Sequence, residues 1–192
     1  MKEILVVVDM VNGFVNFGAL ADKNINKITP NIEKLIKRAK QKGIKIVAFK
    51  DCHSLGDEEF SVYPVHCLEH SLESELIPEL KKYESEMTII KKNTTNGFKT
   101  IFSDLVKRID FDKVHVVGCC TDICVKDFVL SYLNFIRENN KQTKIFVYED
   151  ACYTFDSNEH SAQTMHKKSL EIMREKGAKI VSVNFENEIE RI

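Results

Sequence analysis

No charge of one sign dominates this chain. Against 28 Lys and Arg stand 29 Asp and Glu, a formal net charge of −1. There is thus no basic excess to displace counterions from a nucleic-acid backbone, and the pairs Lys81-Lys82, Lys91-Lys92 and Lys167-Lys168 read as solvated surface. Long apolar runs are missing too. The opening "MKEILVVVD" has an apolar core of five residues before Asp9, too short for a signal-peptide h-region. Nothing approaches the roughly 18–20 apolar residues of a membrane span. Also absent are G-x-G-x-x-G and a Walker loop, which removes the usual nucleotide reading of an α/β sheet. The lack of G-x-S-x-G removes the serine-hydrolase elbow. Glycine and proline are scarce, at 7 and 3, and no linker, repeat or low-complexity segment is visible. The expectation is a cytoplasmic protein with neither nucleic acid nor membrane as partner. Its six cysteines should then be reduced, and clustered ones should be catalytic or metal-binding rather than bridged.

What is present is alternation. "ILVVVD" (4–9), "KIVAFKD" (45–51), "MTIIKK" (87–92), "VHVVG" (114–118), "KIFVYED" (144–150) and "KIVSVN" (179–184) read as strands. They are near-continuously apolar, as when helices cover both faces of a sheet. Between them, Ile32, Leu35, Ile36 and Ala39 repeat at the spacing of one helix face, with Pro30 in the first turn and Gly43 at the exit. "KTIFSDLVKRI", "DICVKDFVLSYLNFIREN" and "SNEHSAQTMHKKSLEIMREKG" behave likewise. The pattern predicts one α/β domain over residues 1–192: a doubly wound (Rossmann-like) sheet of about six mostly parallel strands with helices on both faces. The stretch from Cys52 to about Glu73 has no clear pattern, and long loops of this kind are usually functional.

Ligands of open parallel sheets sit at the C-terminal strand ends. Here those ends carry Asp9, Asp51, Lys92 and the Gly118–Cys124 turn. Cys124 lies just inside a predicted helix start, with Thr121 or Asp122 as cap, where free amides and partial positive charge favour a thiolate and an oxyanion. Asp9 is placed to act as its base and Lys92 to hold that carboxylate ionised. The structural alternative is a core cysteine, a cap and a surface lysine. In "DCHSLGDEEFSVYPVHC", Asp51 and His53 alternate by two, and Glu59 and His66 return from the loop. Carboxylate plus imidazole suits zinc, manganese or ferrous iron, although D-x-H alone is not specific. Phe14 and Tyr63 offer aromatic walls for a flat substrate. Cys52, Cys67 and Cys152 read as packing residues, and His70, His115, His160 and His166 as surface or structural histidines, His160 in the first turn of the last helix.

Taken in order, these segments resemble the isochorismatase-like cysteine hydrolases, and within them the nicotinamidases. "VVDMVNGFV" resembles the family's D-x-Q-N-D-F opening, "FKDCH" its D-x-H motif and "EFSVYPVHC" its E-F-x-x-W-P-x-H-C segment. "KKNTTNGF" resembles the lysine loop, and "VVGCCTDICV" the G-x-x-T-D-x-C-V nucleophile turn. The resemblance implies the isochorismatase-like hydrolase fold, Cys124 as nucleophile, Asp9 as base and Lys92 as third triad member. It implies a cis peptide between Cys119 and Cys120, with the backbone amides of Cys120 and Cys124 as oxyanion hole. It further implies Asp51, His53 and His66 as ligands of a divalent metal, zinc first, with Glu59 as an additional ligand. The activity implied is hydrolysis of nicotinamide in NAD salvage, through a thioester, with Phe14 and Tyr63 flanking the ring. A dimer or tetramer is implied at family level. Four features depart from the pattern: Val11 for Gln, Gly13 for Asp, Tyr63 for Trp, and "HSLESEL" where a G-T segment is usual. Alternatives are an amidase for another small amide or carbamoyl compound, a vinyl-ether hydrolase of isochorismatase type, a non-catalytic binding protein, and a redox or zinc-storage role for the cysteines.

Overall fold

Ile4 to Val8 divide strictly between two cores. Leu5 and Val7 face one cluster, and Ile4, Val6 and Val8 the other, the period-two signature of a strand covered on both sides. A computed structural model describes residues 1–184. Its six strands are β1 (Glu3–Val8), β2 (Lys45–Asp51), β3 (Thr88–Lys92), β4 (Lys113–Cys119), β5 (Lys144–Tyr153) and β6 (Lys179–Val181). They form one sheet in the order β3-β2-β1-β4-β5-β6, every pairing parallel. This is the doubly wound order, with its switch point between β1 and β4.

The α-helices are α1 (Asn12–Val15), α2 (Thr29–Gln41), α3 (Pro78–Lys81), α4 (Phe102–Arg108), α5 (Lys126–Glu138) and α6 (Ala162–Glu175). Helix α2 buries Ile32, Leu35, Ile36 and Ala39 against one face of the sheet. Residues of α4, α5 and α6 bury against the other, around the aromatic cluster of Phe49, Phe102, Phe128 and Tyr132. Gly43, at φ +65°, turns the chain out of α2.

The elements depart from the sequence reading in ways that have physical causes. β5 runs on to Tyr153, because a register shift after Val116 lets Gly118 and Cys119 pair with Cys152 and Tyr153. β6 stops at Val181, and the Asp150 carboxylate takes the Val183 N–H instead, at 2.9 Å. The helix predicted from residue 122 starts as a separate π turn, Thr121–Val125, before α5. The last helix begins at Ala162, capped by the Ser161 hydroxyl, so His160 precedes it rather than lying in its first turn. Among the described residues no helix is long and apolar enough to cross a membrane.

Candidate active site

A tight approach of two strands organises the site. Gly118, at φ +117°, pairs with Val8, and a Cβ there would lie 2.0 Å from the Val8 carbonyl oxygen. Only glycine lets β4 close on β1 at this point. Asp9 follows directly, fully buried and left-handed at φ +50°. Its amide donates to the Phe49 carbonyl at 3.2 Å, and its carbonyl accepts from the Val11 amide at 2.8 Å and the Cys119 thiol at 3.2 Å. On the far side, β2 and β3 end in register, Asp51 opposite Lys92.

Lys92 links the two carboxylates. Its Nζ donates to Asp51 Oδ1 at 2.7 Å and lies 2.8 Å from Asp9 Oδ2. The second contact is close but not aligned as a hydrogen bond, and neither Asp9 oxygen has an aligned donor among the described residues. Burial drives the Asp9 carboxyl up to about 7 against the opposing pull of Lys92. Asp51 moves the other way: burial raises it, but the Lys92 charge and hydrogen bonds from His53 and His66 outweigh burial and hold it well below the carboxylate range. Burial would lower Lys92, yet Asp9, Cys124 and Asp51 together raise it well above its ordinary value. One ammonium is thus shared by a firmly ionised carboxylate and one poised near neutrality.

Cys124 sits in the π turn after β4, its thiol beside the Asp9 carboxylate. The turn is closed by the Val125 amide donating to the Cys120 carbonyl at 3.1 Å, the i→i+5 bond typical of functional π-bulges. One expectation is corrected here. Neither Thr121 nor Asp122 caps the helix: the Thr121 hydroxyl pairs with His166 Nδ1, and Asp122 takes Thr154 and His160. Burial pushes the Cys124 thiol well above its ordinary value, with Lys92 pulling only partly back. The Cys119–Cys120 peptide is cis, and both thiols are buried.

The patternless loop folds back through a parallel bridge, His53 to Leu68, with the His53 amide donating to the Cys67 carbonyl at 3.0 Å. This places His66 beside His53. Both Nε2 atoms face Asp51 Oδ2, at 2.9 and 3.0 Å, and the ligand atoms of Asp51, His53 and His66 lie within 4.8 Å of one another. The His66 Nδ1 donates to the Pro64 carbonyl at 2.7 Å, and His53 Nδ1 is 3.1 Å from Asp57 Oδ2. With the outward nitrogens so engaged, the two Nε2 atoms converge on a carboxylate oxygen, the donor set and outer support of a candidate divalent-metal site. Burial lowers both histidines, but Asp51 outweighs it and the net shift is upward. Glu59 is not brought into this trio. It lines the adjoining cavity, and burial raises its carboxyl.

That cavity, about 340 Å³, opens onto Cys120, Cys124 and His66. Phe14 and Tyr63 line it, their rings 5.6 and 6.3 Å from that of His66. Phe155, Ile123 and Leu20, not singled out from the sequence, add to its apolar wall. The departures Gly13 and "HSLESEL" meet each other. A Cβ on Gly13 would fall 2.5 Å from the Cys67 sulfur, and the Glu73 carbonyl takes the Gly13 amide at 2.9 Å. His70 is exposed, and Cys152 packs in the core beneath the sheet edge.

Comparison with known proteins agrees with this architecture. The Isochorismatase domain model matches residues 3–185. Nicotinamidase 1 of Arabidopsis thaliana is 33% identical over 212 residues, covering 95% of this chain and 86% of the relative. Among solved structures, N-carbamoylsarcosine amidase from Thermoplasma acidophilum superposes with a TM-score of 0.78 at 27% identity, covering 95% and 97% of the two chains. Pyrazinamidase of Pyrococcus horikoshii, in complex with zinc, does so at 0.77 and 26%, covering 95% and 99%. A domain model spanning nearly the whole chain, and a relative of this identity and coverage, place it plainly: the chain belongs to the isochorismatase family of hydrolases.

Proposed function

We propose that the protein is a cysteine-dependent amidohydrolase whose substrate is nicotinamide or a close aromatic amide, serving NAD salvage. One observation carries the reading: Asp9, Lys92 and Cys124 meet at one sheet edge, at the foot of an aromatic-walled cavity beside an Asp-His-His cluster. The nicotinamidase relative supports the substrate. The carbamoylsarcosine amidase neighbour makes a carbamoyl substrate the second reading.

In this mechanism Asp9 takes the Cys124 proton as the sulfur attacks the amide carbon. Its raised position, about 7, suits a group that must both accept and return a proton. Lys92 keeps Asp9 oriented and its charge balanced. The backbone amides of Cys120 and Cys124 hold the tetrahedral oxyanion. The proton then passes from Asp9 to the departing nitrogen, ammonia leaves, and a thioester remains on Cys124. Water gives a proton to Asp9 and attacks the thioester, releasing the acid and restoring the thiol. Asp51, His53 and His66 would hold the divalent ion, and Glu59 lines the adjoining cavity. When bound, that ion supplies a Lewis-acid anchor for a ring nitrogen. Phe14 and Tyr63 exclude water from the ring faces.

Ammonia release from nicotinamide by the purified protein, beside Cys124→Ala, tests the reading. Turnover lost in the variant is expected. Cys124-dependent hydrolysis of a carbamoyl compound without nicotinamide turnover would favour the second reading, and equal activity in Cys124→Ala would remove the mechanism.

A further inference from the structure

Phe155 forms one wall of the cavity, yet it lies in a loop, and loops alone position rings poorly. The structure supplies a holder. The imidazole of His160 stacks on the Phe155 ring with centroids 3.9 Å apart and planes within 7°. Its Nδ1 is 3.0 Å from the Phe155 carbonyl oxygen, and its Nε2 is 2.7 Å from Asp122 Oδ2. Asp122 also accepts from the Thr154 hydroxyl and sits in the same π turn as Cys124, two residues before it. The loop is closed further by the Ser157–His160 bridge and by the Asp156 amide donating to Asp22 Oδ2 at 2.8 Å. One side chain therefore touches the wall by its face and its backbone, and the nucleophile turn by its far nitrogen.

We infer that His160 is a positioning residue that sets specificity for a ring substrate: it fixes the Phe155 ring as a cavity wall and ties that wall, through Asp122, to the turn carrying Cys124. The inference rests on the amidase reading above and adds to it that ring selection is built from residues 155–160, which belong to neither the triad nor the metal cluster. His160 itself does not line the cavity, so it acts through Phe155 and not on substrate.

The test compares His160→Ala, His160→Gln, Phe155→Leu and the double variant Phe155→Leu/His160→Ala. Two readouts are needed: KM and kcat for nicotinamide, and alkylation of Cys124 by iodoacetamide with and without nicotinamide as protectant. A stacked aromatic pair contributes enough that losing it should raise KM about three- to tenfold. The kcat value and the unprotected alkylation rate should stay within about twofold. Phe155→Leu should reproduce the KM rise, and the double variant should be no worse than the worse single one, since both remove the same contact. His160→Gln keeps a hydrogen bond without the stack and should show the same KM rise, so the result does not hang on the alanine variant folding. An unchanged KM would overturn the inference, as would KM effects that multiply in the double variant. A fall in unprotected alkylation at constant KM would also overturn it, making His160 a prop of the nucleophile turn. If the wild type neither turns over nicotinamide nor is protected by it, the nicotinamide reading fails and takes this inference with it. That outcome is visible before any variant is measured.

Discussion

The two ends of the sheet both bury ionisable groups, and they treat them oppositely. At the N-terminal edge, His115 is 8% exposed. Its Nδ1 lies 2.9 Å from the Tyr148 hydroxyl and its Nε2 3.0 Å from Glu3 Oε2, and the ring stacks on Phe146. At the C-terminal edge, Asp9 is buried completely with neither oxygen in an aligned hydrogen bond among the described residues, although an ammonium lies 2.8 Å away. Satisfied polar groups rigidify a core; under-satisfied ones hold protons that can move. Burial of charge does not separate the ends. The completeness of its hydrogen bonding does.

Removing the shared cation should break this contrast most severely. Lys92→Met leaves two buried carboxylates facing each other, and losing one partner of a buried ion cluster costs about 3–5 kcal/mol. Chemical denaturation should show that loss, and turnover should fall at least about a hundredfold. A variant of wild-type stability and activity would mean that the carboxylates are balanced without the lysine.

Next comes pH. Below about 7 Asp9 holds a proton and cannot take one from Cys124. In initial-rate measurements kcat/KM should therefore rise about tenfold per unit as pH climbs toward that point, then level off. The same shift has a stability sign. Asp9 is raised from an ordinary 3.8, so it binds more proton folded than unfolded, and its contribution weakens as pH rises from about 4 to about 7. A kcat/KM profile flat from pH 5 to 8 would remove Asp9 as the base.

At the opposite edge, His115→Phe should lower stability by about 1–3 kcal/mol, the cost of deleting hydrogen bonds to buried groups. Activity should stay within about twofold. Activity lost in proportion to stability would show the two ends to be coupled. The smallest effect belongs to Cys119→Ala and Cys120→Ala, assayed singly for ammonia release. If their backbones matter and their sulfurs do not, each should retain most of the wild-type rate.

Much of the reactive edge was legible because it depends on one short-range fact: which residue ends each strand. Asp9, Asp51, Lys92 and the 118–124 turn follow from that, and the doubly wound order brings them together. The rest depends on contacts no local pattern encodes. Phe155 becomes a wall only because β5 slips register after Val116 and runs on to Tyr153. Asp57 reaches His53 only because the loop doubles back. The start at 121 looks like an ordinary helix, since hydrophobic spacing cannot distinguish an i→i+5 turn from an i→i+4 one. Gly13, a departure from the family pattern, answers to the Cys67 sulfur that fills its side-chain space.

The most direct measurement sets accessibility against chemistry. Of the six cysteines, Cys52 is half-buried and the other five are buried, Cys124 being 7% exposed. Treat the native protein with limiting iodoacetamide at pH 7.5 and follow each cysteine by peptide mass spectrometry, for wild type and Asp9→Asn. Cys124 should be alkylated first despite its burial, and Asp9→Asn should slow Cys124 selectively while leaving Cys52 unaffected. Alkylation led by Cys52, or a Cys124 rate indifferent to Asp9→Asn, would contradict the mechanism.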